Sequence, residues 1–465
     1  MNNQKMKGKI DSRATAGFAQ TRRSFLHSAA AAGAGLALSP MVLGQTDNSK
    51  KPDDINVALL GCGAQGRVLM NVCLKIPGIR FKAVCDIWTT WNQKRFSRIL
   101  KTYKHEHNTY VDYEEMLDKE EDLDAVIIAT PDFWHAEHTV ACLKAGLHVY
   151  CEKEMSNTLE GARGMAQAAK ETGRLLQIGH QRRSNPRYIF CYEKLLKEAK
   201  LLGQITAVTG QWNRSARGPL GWPKKAAIDQ AILEKYGYKS MHQFKNWRWY
   251  KGLGGGPIVD LGSHQIDVYN WFLEANPKSV MASGRTNYYD KKTHEWYDTV
   301  MAVYEYETVQ GQVSAYYQTI SANSSMGYFE TFMGDKGTLV ISEVSRLGEA
   351  YREPRTDPRA WAKWVRMGYL KAPKEIKDHE HELALPMYID ESPPPFKLPP
   401  YKLPLKMNKL YHQPHLENFF DAIRGKAKLN CPAEIGYETA VAVLKVNEAA
   451  EAERKLNFKP EEFKA

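Results

Sequence analysis

A strand-like apolar run, Ile55 to Leu60, leads directly into Gly61-Cys62-Gly63-Ala64-Gln65-Gly66, and a helix-period segment, Arg67 to Leu74, starts where that loop ends. Few short patterns restrict a fold more, because each glycine has its own geometric task. Gly61 permits the tight turn, Gly63 lets a phosphate approach the backbone, and Gly66 lets the helix pack closely on the sheet. The helix N-terminus adds free N–H groups and a partial positive charge. Beyond the loop, Phe81 to Cys85, Ala125 to Ala129, Val149 to Cys151 and Leu175 to Ile178 read as further strands separated by amphipathic helices. This alternation predicts a doubly wound parallel α/β sheet of the Rossmann type, with a dinucleotide at Gly61, Gly63, Ala64, Gln65 and Gly66.

Carboxyl ends of parallel strands face the ligand crevice, so residues there are the next candidates. Asp86 ends the second strand, where its carboxylate can accept from both adenosine ribose hydroxyls and repel a 2′-phosphate. That favours NAD over NADP, the alternative being a helix-capping aspartate. Thr130 and Pro131 follow the strand Ala125 to Ala129, and His135 beyond them either contacts the nicotinamide half or caps a helix. Glu152 and Lys153 sit at the end of the strand Val149 to Cys151. A lysine beside an oxidised nicotinamide feels its charge and partial desolvation, which favour the neutral amine, a general base. A surface Glu-Lys pair is the plainer alternative.

After Gly203 the texture changes to longer alternating runs: Ile205 to Trp212, Ser279 to Tyr288, Thr299 to Tyr306, Gln312 to Thr319 and Tyr328 to Gly334. They predict an α+β second domain with an open, largely antiparallel sheet. A helix over Ile258 to Phe272 interrupts them, preceded by Gly254-Gly255-Gly256, and on one continuous helix Asp260, His264 and Asp267 share a face. An Asp and a His so placed can hold one substrate hydroxyl and accept its proton. Trp212, Trp222, Trp247 and Trp249 lie nearby, either stacking on sugar C–H faces or packing between domains. A proline-rich insertion, 345–409, reads as extended surface segments or an arm against a neighbouring subunit, and helical periodicity returns at His415 to Arg424 and Ile435 to Glu451.

The N-terminus carries Arg22-Arg23 ahead of an Ala- and Gly-rich apolar run, His27 to Leu43. This resembles a twin-arginine signal over residues 1–44, which predicts export to the periplasm or beyond by that route, a retained anchor being the alternative. The run falls short of about 20 apolar residues, and no later stretch reaches spanning length, so no stable membrane span is expected after processing. Losing those residues removes six basic side chains and one aspartate, lowering the formal charge from +11 to +6. The remaining charges are interspersed, which argues against nucleic acid as a partner. The seven cysteines include no C-x-x-C pair and read as small buried hydrophobes rather than a disulfide framework. His379-Glu380-His381-Glu382 lacks a second ligand cluster, so no metal site is assigned. The domain expectation is 1–44 signal, 50–180 nucleotide domain and 181–465 substrate and oligomerisation domain.

The glycine loop, Ala129-Thr130-Pro131 with His135, Glu152-Lys153, Gly179-His180-Gln181-Arg182-Arg183, the glycine-led Asp260/His264 helix, and His415-Leu416-Glu417-Asn418-Phe419 together resemble the family of glucose-fructose oxidoreductase, inositol dehydrogenase and MocA, from about Ile55 onward. The resemblance implies NAD(P) in the first domain, a sheet used for substrate and homo-oligomer contacts in the second, and a sugar-class substrate. It carries the catalytic lysine onto Lys153, the substrate-side aspartate onto Asp260 and the histidine onto His264, with Arg183 and Trp247 as substrate-binding candidates. One departure stands out: the family usually has proline after the lysine, whereas this chain has Glu154, a carboxylate that could join the base. The implied activity is hydride transfer from a sugar or glycoside hydroxyl by an exported enzyme with tightly held NAD. A redox-neutral glycosidase is the close alternative, and a non-catalytic sugar- or partner-binding protein with structural NAD is the distant one.

Overall fold

The computed structural model describes residues 53–344, 346–373 and 398–465. The twin-arginine segment and the His379–Glu382 run lie outside the described residues.

Six parallel strands form the first sheet: β1 (Ile55–Leu60), β2 (Ile79–Cys85), β3 (Asn108–Tyr110), β4 (Ala125–Ile128), β5 (His148–Cys151) and β6 (Leu176–Ile178), in the order β3-β2-β1-β4-β5-β6. Helices cover both faces, and β1 is buried at every residue, which is why it reads as a continuous apolar run rather than an alternation. The expected doubly wound sheet is therefore present. The short β3 was not foreseen, since its three residues Asn-Thr-Tyr are too few to show a period.

The second sheet has nine strands: β7 (Ile205–Arg214), β8 (Pro277–Arg285), β9 (Thr299–Thr308), β10 (Gly311–Ile320), β11 (Asn323–Gly334), β12 (Gly337–Ile341), β13 (Gly348–Arg352), β14 (Tyr401–Lys402) and β15 (Leu456–Asn457). Their order is β14-β13-β12-β11-β7-β10-β9-β8-β15, antiparallel throughout except for β7 beside β10. Alternation in β9 and β10 places Val300, Ala302, Tyr304, Tyr306, Val313, Ala315 and Tyr317 on the buried face, against helices Ser263–Leu273 and Ala433–Ala452.

Two expectations change. The described parts of 345–409 are not merely surface arm: β13 and β14 extend the sheet, and helix Pro358–Arg366 buries Trp361 against it. Nor does chain order divide the domains at 180, because Leu416, Phe419 and Phe420 of helix Gln413–Ile423 complete the core of the first sheet with Val57, Leu59 and Phe81. A second cluster runs unbroken from Val149 and Ile178 to Val280, Tyr317 and Val443, so the two sheets share one apolar interior. All seven cysteines are buried and free within these cores.

Candidate active site

One cavity of about 460 Å³ runs between the sheets, from Asp86 at one end past Gly61, Gly63, Ala64 and Gln65 to Lys153, Asp260 and His264 at the other. The glycine loop forms its middle. Gly61 takes a φ of +91°, and a Cβ there would sit 2.6 Å from the Ala129 carbonyl carbon. A Cβ on Gly66 would lie 2.0 Å from the Gly61 carbonyl oxygen, whereas the space over Gly63 is open. Helix Ala64–Cys73 has no side-chain cap and no acidic residue in its first turn, so its leading N–H groups stay free for an anion. A dinucleotide phosphate fits this cradle.

Asp86 holds the nucleotide end in shape. Its Oδ2 accepts from the Cys62 N–H at 2.6 Å and its Oδ1 from the Trp88 N–H at 2.7 Å. Burial pushes its carboxyl up against the pull of those bonds. Over this end folds a strap from the second domain, helices Gln230–Lys235 and Met241–Lys245. The strap's Tyr236, Tyr238 and Met241 join a cluster with Trp88, and Trp88 Nε1 donates to the Ala226 carbonyl. Tyr238, Phe244 and Lys245 face the same cavity as Asp86.

At the other end, Gln65 Nε2 donates to Glu152 Oε1 at 3.0 Å, tying the glycine loop to the turn that carries Lys153. The Lys153–Glu154 peptide is cis. Lys153 Nζ donates to the Asp260 carbonyl and, at 3.2 Å, to Asp260 Oδ1. Arg248 Nε also reaches Oδ1, at 3.1 Å, and Arg214 stands 3.8 Å from Oδ2. Burial alone would raise the Asp260 carboxyl, but the charges of Lys153, Arg248 and Arg214 hold it well below the usual carboxylate range. His264 is driven the other way: burial, then Lys153 and Arg182, keep its imidazole neutral, and its Nδ1 has no hydrogen-bond partner among the described residues.

The helix carrying these residues is not one continuous α-helix. Ile258–Gly262 is a π-helical turn ahead of the α-helix Ser263–Leu273, which changes the spacing. Asp260 and His264 reach the cavity, while Asp267 does not; it accepts from Arg183 Nε at 2.8 Å and Thr439 Oγ1 at 3.0 Å. Arg183 is consequently occupied by a buried carboxylate and lies outside the cavity lining, which corrects its assignment to substrate. His135 borders the cavity, but both ring nitrogens are taken by backbone, Nε2 at 2.8 Å from the Thr130 carbonyl and Nδ1 at 2.7 Å from that of Glu154. It positions the two turns rather than offering a nitrogen to the cofactor. Glu154 is fully buried away from the cavity, pushed up to about 8 by burial, and accepts from the Met155 N–H, so it is no second base in the cleft. Thr130, Pro131, Glu152 and Trp247 line the cavity as anticipated.

Several contributors were not legible in advance. Asp132, the first residue of helix Asp132–Lys144, is pushed up to about 7 by burial against the pull of Arg248 and Lys153. Gln181 lines the cavity and donates to Glu343 Oε1 at 3.1 Å. Tyr411 and His412, which follow the proline-rich insertion, close one wall, with His412 Nε2 3.0 Å from Gln65 Nε2. Gln181 stands within the Gly179-His180-Gln181-Arg182-Arg183 run and Asp132 directly follows Pro131, and those were the local signals for these two; nothing local marks Tyr411 or His412.

Residues 55–180 match the model of an oxidoreductase family with an NAD-binding Rossmann fold, and residues 194–340 match the GFO/IDH/MocA C-terminal domain. The chain belongs to this family. An inositol 2-dehydrogenase of Rubrobacter xylanophilus is 25% identical over 300 residues, 63% of this chain and 72% of that protein. An alpha-N-acetylgalactosaminidase of Tannerella forsythia is 32% identical over 178 residues, 34% of this chain and 38% of that one. The WlbA dehydrogenase of Bordetella pertussis, solved with NADH and UDP-GlcNAcA, superposes with a TM-score of 0.59 at 18% identity, covering 87% of this chain and 99% of WlbA. As a GFO/IDH/MocA oxidoreductase, the chain places its NAD-binding loop and the Lys153–Asp260–His264 constellation in one cleft.

Proposed function

We propose that this protein oxidises a hydroxyl of a sugar or glycoside with NAD held tightly in the cleft. The observation that carries the reading is the Lys153–Asp260 pair, with neutral His264, in the same cavity as the glycine cradle. Bound NAD supplies a hydride acceptor. Lys153 and His264 share the acid/base work, the neutral imidazole of His264 accepting the hydroxyl proton while Lys153 Nζ supplies charge and a donor beside the oxygen; Asp260 holds Lys153 and the hydroxyl in register, and Trp247 offers an apolar wall. The strap across Asp86 supports tight retention, since release requires parting the Trp88 cluster. Retention suits a protein exported folded by a twin-arginine signal, which would carry its cofactor with it.

A second reading is redox-neutral glycoside cleavage: the sugar is oxidised, the aglycone eliminated, water added, and the carbonyl reduced again. Similarity to the Tannerella glycosidase supports it. A panel of glycosides and free sugars added to the purified protein tests both. Reduced-nicotinamide absorbance from the bound cofactor is expected with at least one, and aglycone release without added NAD selects the second reading. If no sugar changes that absorbance, the chain is a binding protein and hydride transfer is wrong. Protein recovered from outside the cytoplasm should keep its NAD through dialysis; folded, cofactor-free protein active only with added NAD would end the tight-cofactor part alone.

A further inference from the structure

A second cavity, of about 310 Å³, opens beyond Asp260 and shares Leu220, Lys245, Arg248 and Asp260 with the first. It does not reach the glycine loop, so the cofactor cradle leaves it free. Its walls are cationic. Arg214, Arg217, Lys245 and Arg248 line it against two carboxylates, Asp260 and Asp298. Asp260 is already shared among Lys153, Arg214 and Arg248. Asp298 is occupied by the N–H groups of Asn287 at 3.1 Å, Tyr288 at 2.7 Å and Tyr289 at 3.0 Å, and by Thr299 Oγ1 at 2.9 Å. The Arg217 side chain, exposed at the rim, has no carboxylate partner among the described residues. Positive charge is left over.

Two buried polar atoms in the same cavity are unpaired among the described residues, one on a histidine whose Nδ1 is held by Thr293 Oγ1 at 3.2 Å. His294 is 9% exposed and Ser321 7%, and among the described residues neither His294 Nε2 nor Ser321 Oγ has a hydrogen-bond partner. The His294 ring is fixed between Trp249, centroid 3.7 Å away, and Tyr289, 4.0 Å away, so it cannot swing to find one. Buried donors and acceptors of this kind cost stability unless a ligand satisfies them. Trp249 and Trp296 add aromatic surface, which suits sugar C–H faces.

The geometry points to a subsite for a second sugar unit bearing an anionic group, joined to the unit whose hydroxyl is oxidised at Asp260. Arg217, with Arg214 and Arg248, takes the anion; His294 Nε2 and Ser321 Oγ take ring hydroxyls. A carboxylate and a sulfate ester present the same charge-assisted acceptors to arginine. This deepens the sugar-oxidation reading and rests on it for the identity of the first unit.

The test is calorimetric binding to the full-length, NAD-loaded protein of three disaccharides that differ only in the second unit: neutral, with a C6 carboxylate, or with a 6-sulfate. At least one charged form should bind roughly tenfold more tightly than the neutral one, the scale of a charge-assisted pair, and the tighter of the two names the anion. Arg217→Gln should reduce that preference to within about twofold, with bound NAD retained as the sign of an intact fold. Equal affinity for all three, or a preference that survives Arg217→Gln, overturns the subsite. Reduction of bound NAD is recorded separately: preference without reduction sinks the hydride-transfer reading and leaves the anion site, and reduction without preference does the reverse.

Discussion

At the nucleotide end of the cleft, Gly61, Gly63 and Gly66 act through backbone shape within six residues of chain, whereas at the substrate end Lys153, Arg214, Arg248 and Asp260 meet as side chains from four separate elements. At Gly61 and Gly66 the first end tolerates almost no added atom, since each close approach is to main chain, while Gly63 faces open space. The second is a balance of charge, three cations around one carboxylate. Mutations at the first end should therefore act on cofactor binding, and those at the second on chemistry.

The strongest attack on this division is Lys153→Met, which should keep fold and NAD but lower turnover by about 10² to 10⁴. Single-turnover reduction of bound NAD measures it, and turnover within a fewfold of the parent would remove Lys153 from the acid/base work. Gly66→Ala is the mirror case. Its Cβ would press on the Gly61 carbonyl oxygen, and overpacking of about 1 to 3 kcal/mol corresponds to roughly 5- to 150-fold weaker NAD, read by equilibrium titration of stripped protein. Unchanged affinity would show that the loop relaxes freely. Asp86→Ala should weaken NAD about tenfold and narrow its margin over NADP; a parent protein that already binds both equally contradicts the assignment.

The smallest effect sharpens the substrate end. Asp132, with its carboxyl at about 7, ionises in the working range, so Asp132→Asn should erase a step near that pH from the profile of kcat/KM, at a fewfold cost in rate. The sign for stability follows from the raised value. The folded protein holds this proton more tightly than the unfolded chain, so stability falls as pH climbs from about 4 to 7. Asn should flatten that part of the denaturation curve, and an unaltered curve would place the titration elsewhere.

The same contrast explains what could be read from the residues alone. The glycine loop, β1, β2, β4 to β6 and the five long strands of the second sheet carry local periods or fixed spacings, so they were visible. Asp260 and His264 were found, yet the π-helical turn between Ile258 and Gly262 detached Asp267 from their face, and Arg183 followed Asp267 into the interior. Arg214, Arg248 and His412 escaped notice as parts of the cleft because nothing local marks a residue that meets its partner only after the sheets pack. Strand β13 and the edge strand β14 hid in a proline-rich stretch whose composition suggests no sheet.

Helix Gln413–Ile423 also dictates an order of events in synthesis. Leu416, Phe419 and Phe420 must return across more than three hundred residues to cover Val57, Leu59 and Phe81. Closing so long a loop is entropically slow to reward, though its cost grows only with the logarithm of its length. Until that helix leaves the ribosome, the nascent nucleotide domain has an uncovered apolar flank, on which a chaperone can act and where premature compaction would go astray. A fragment cut after Gly179 should accordingly aggregate rather than bind nucleotide, for its core is finished by residues translated far downstream of the cut.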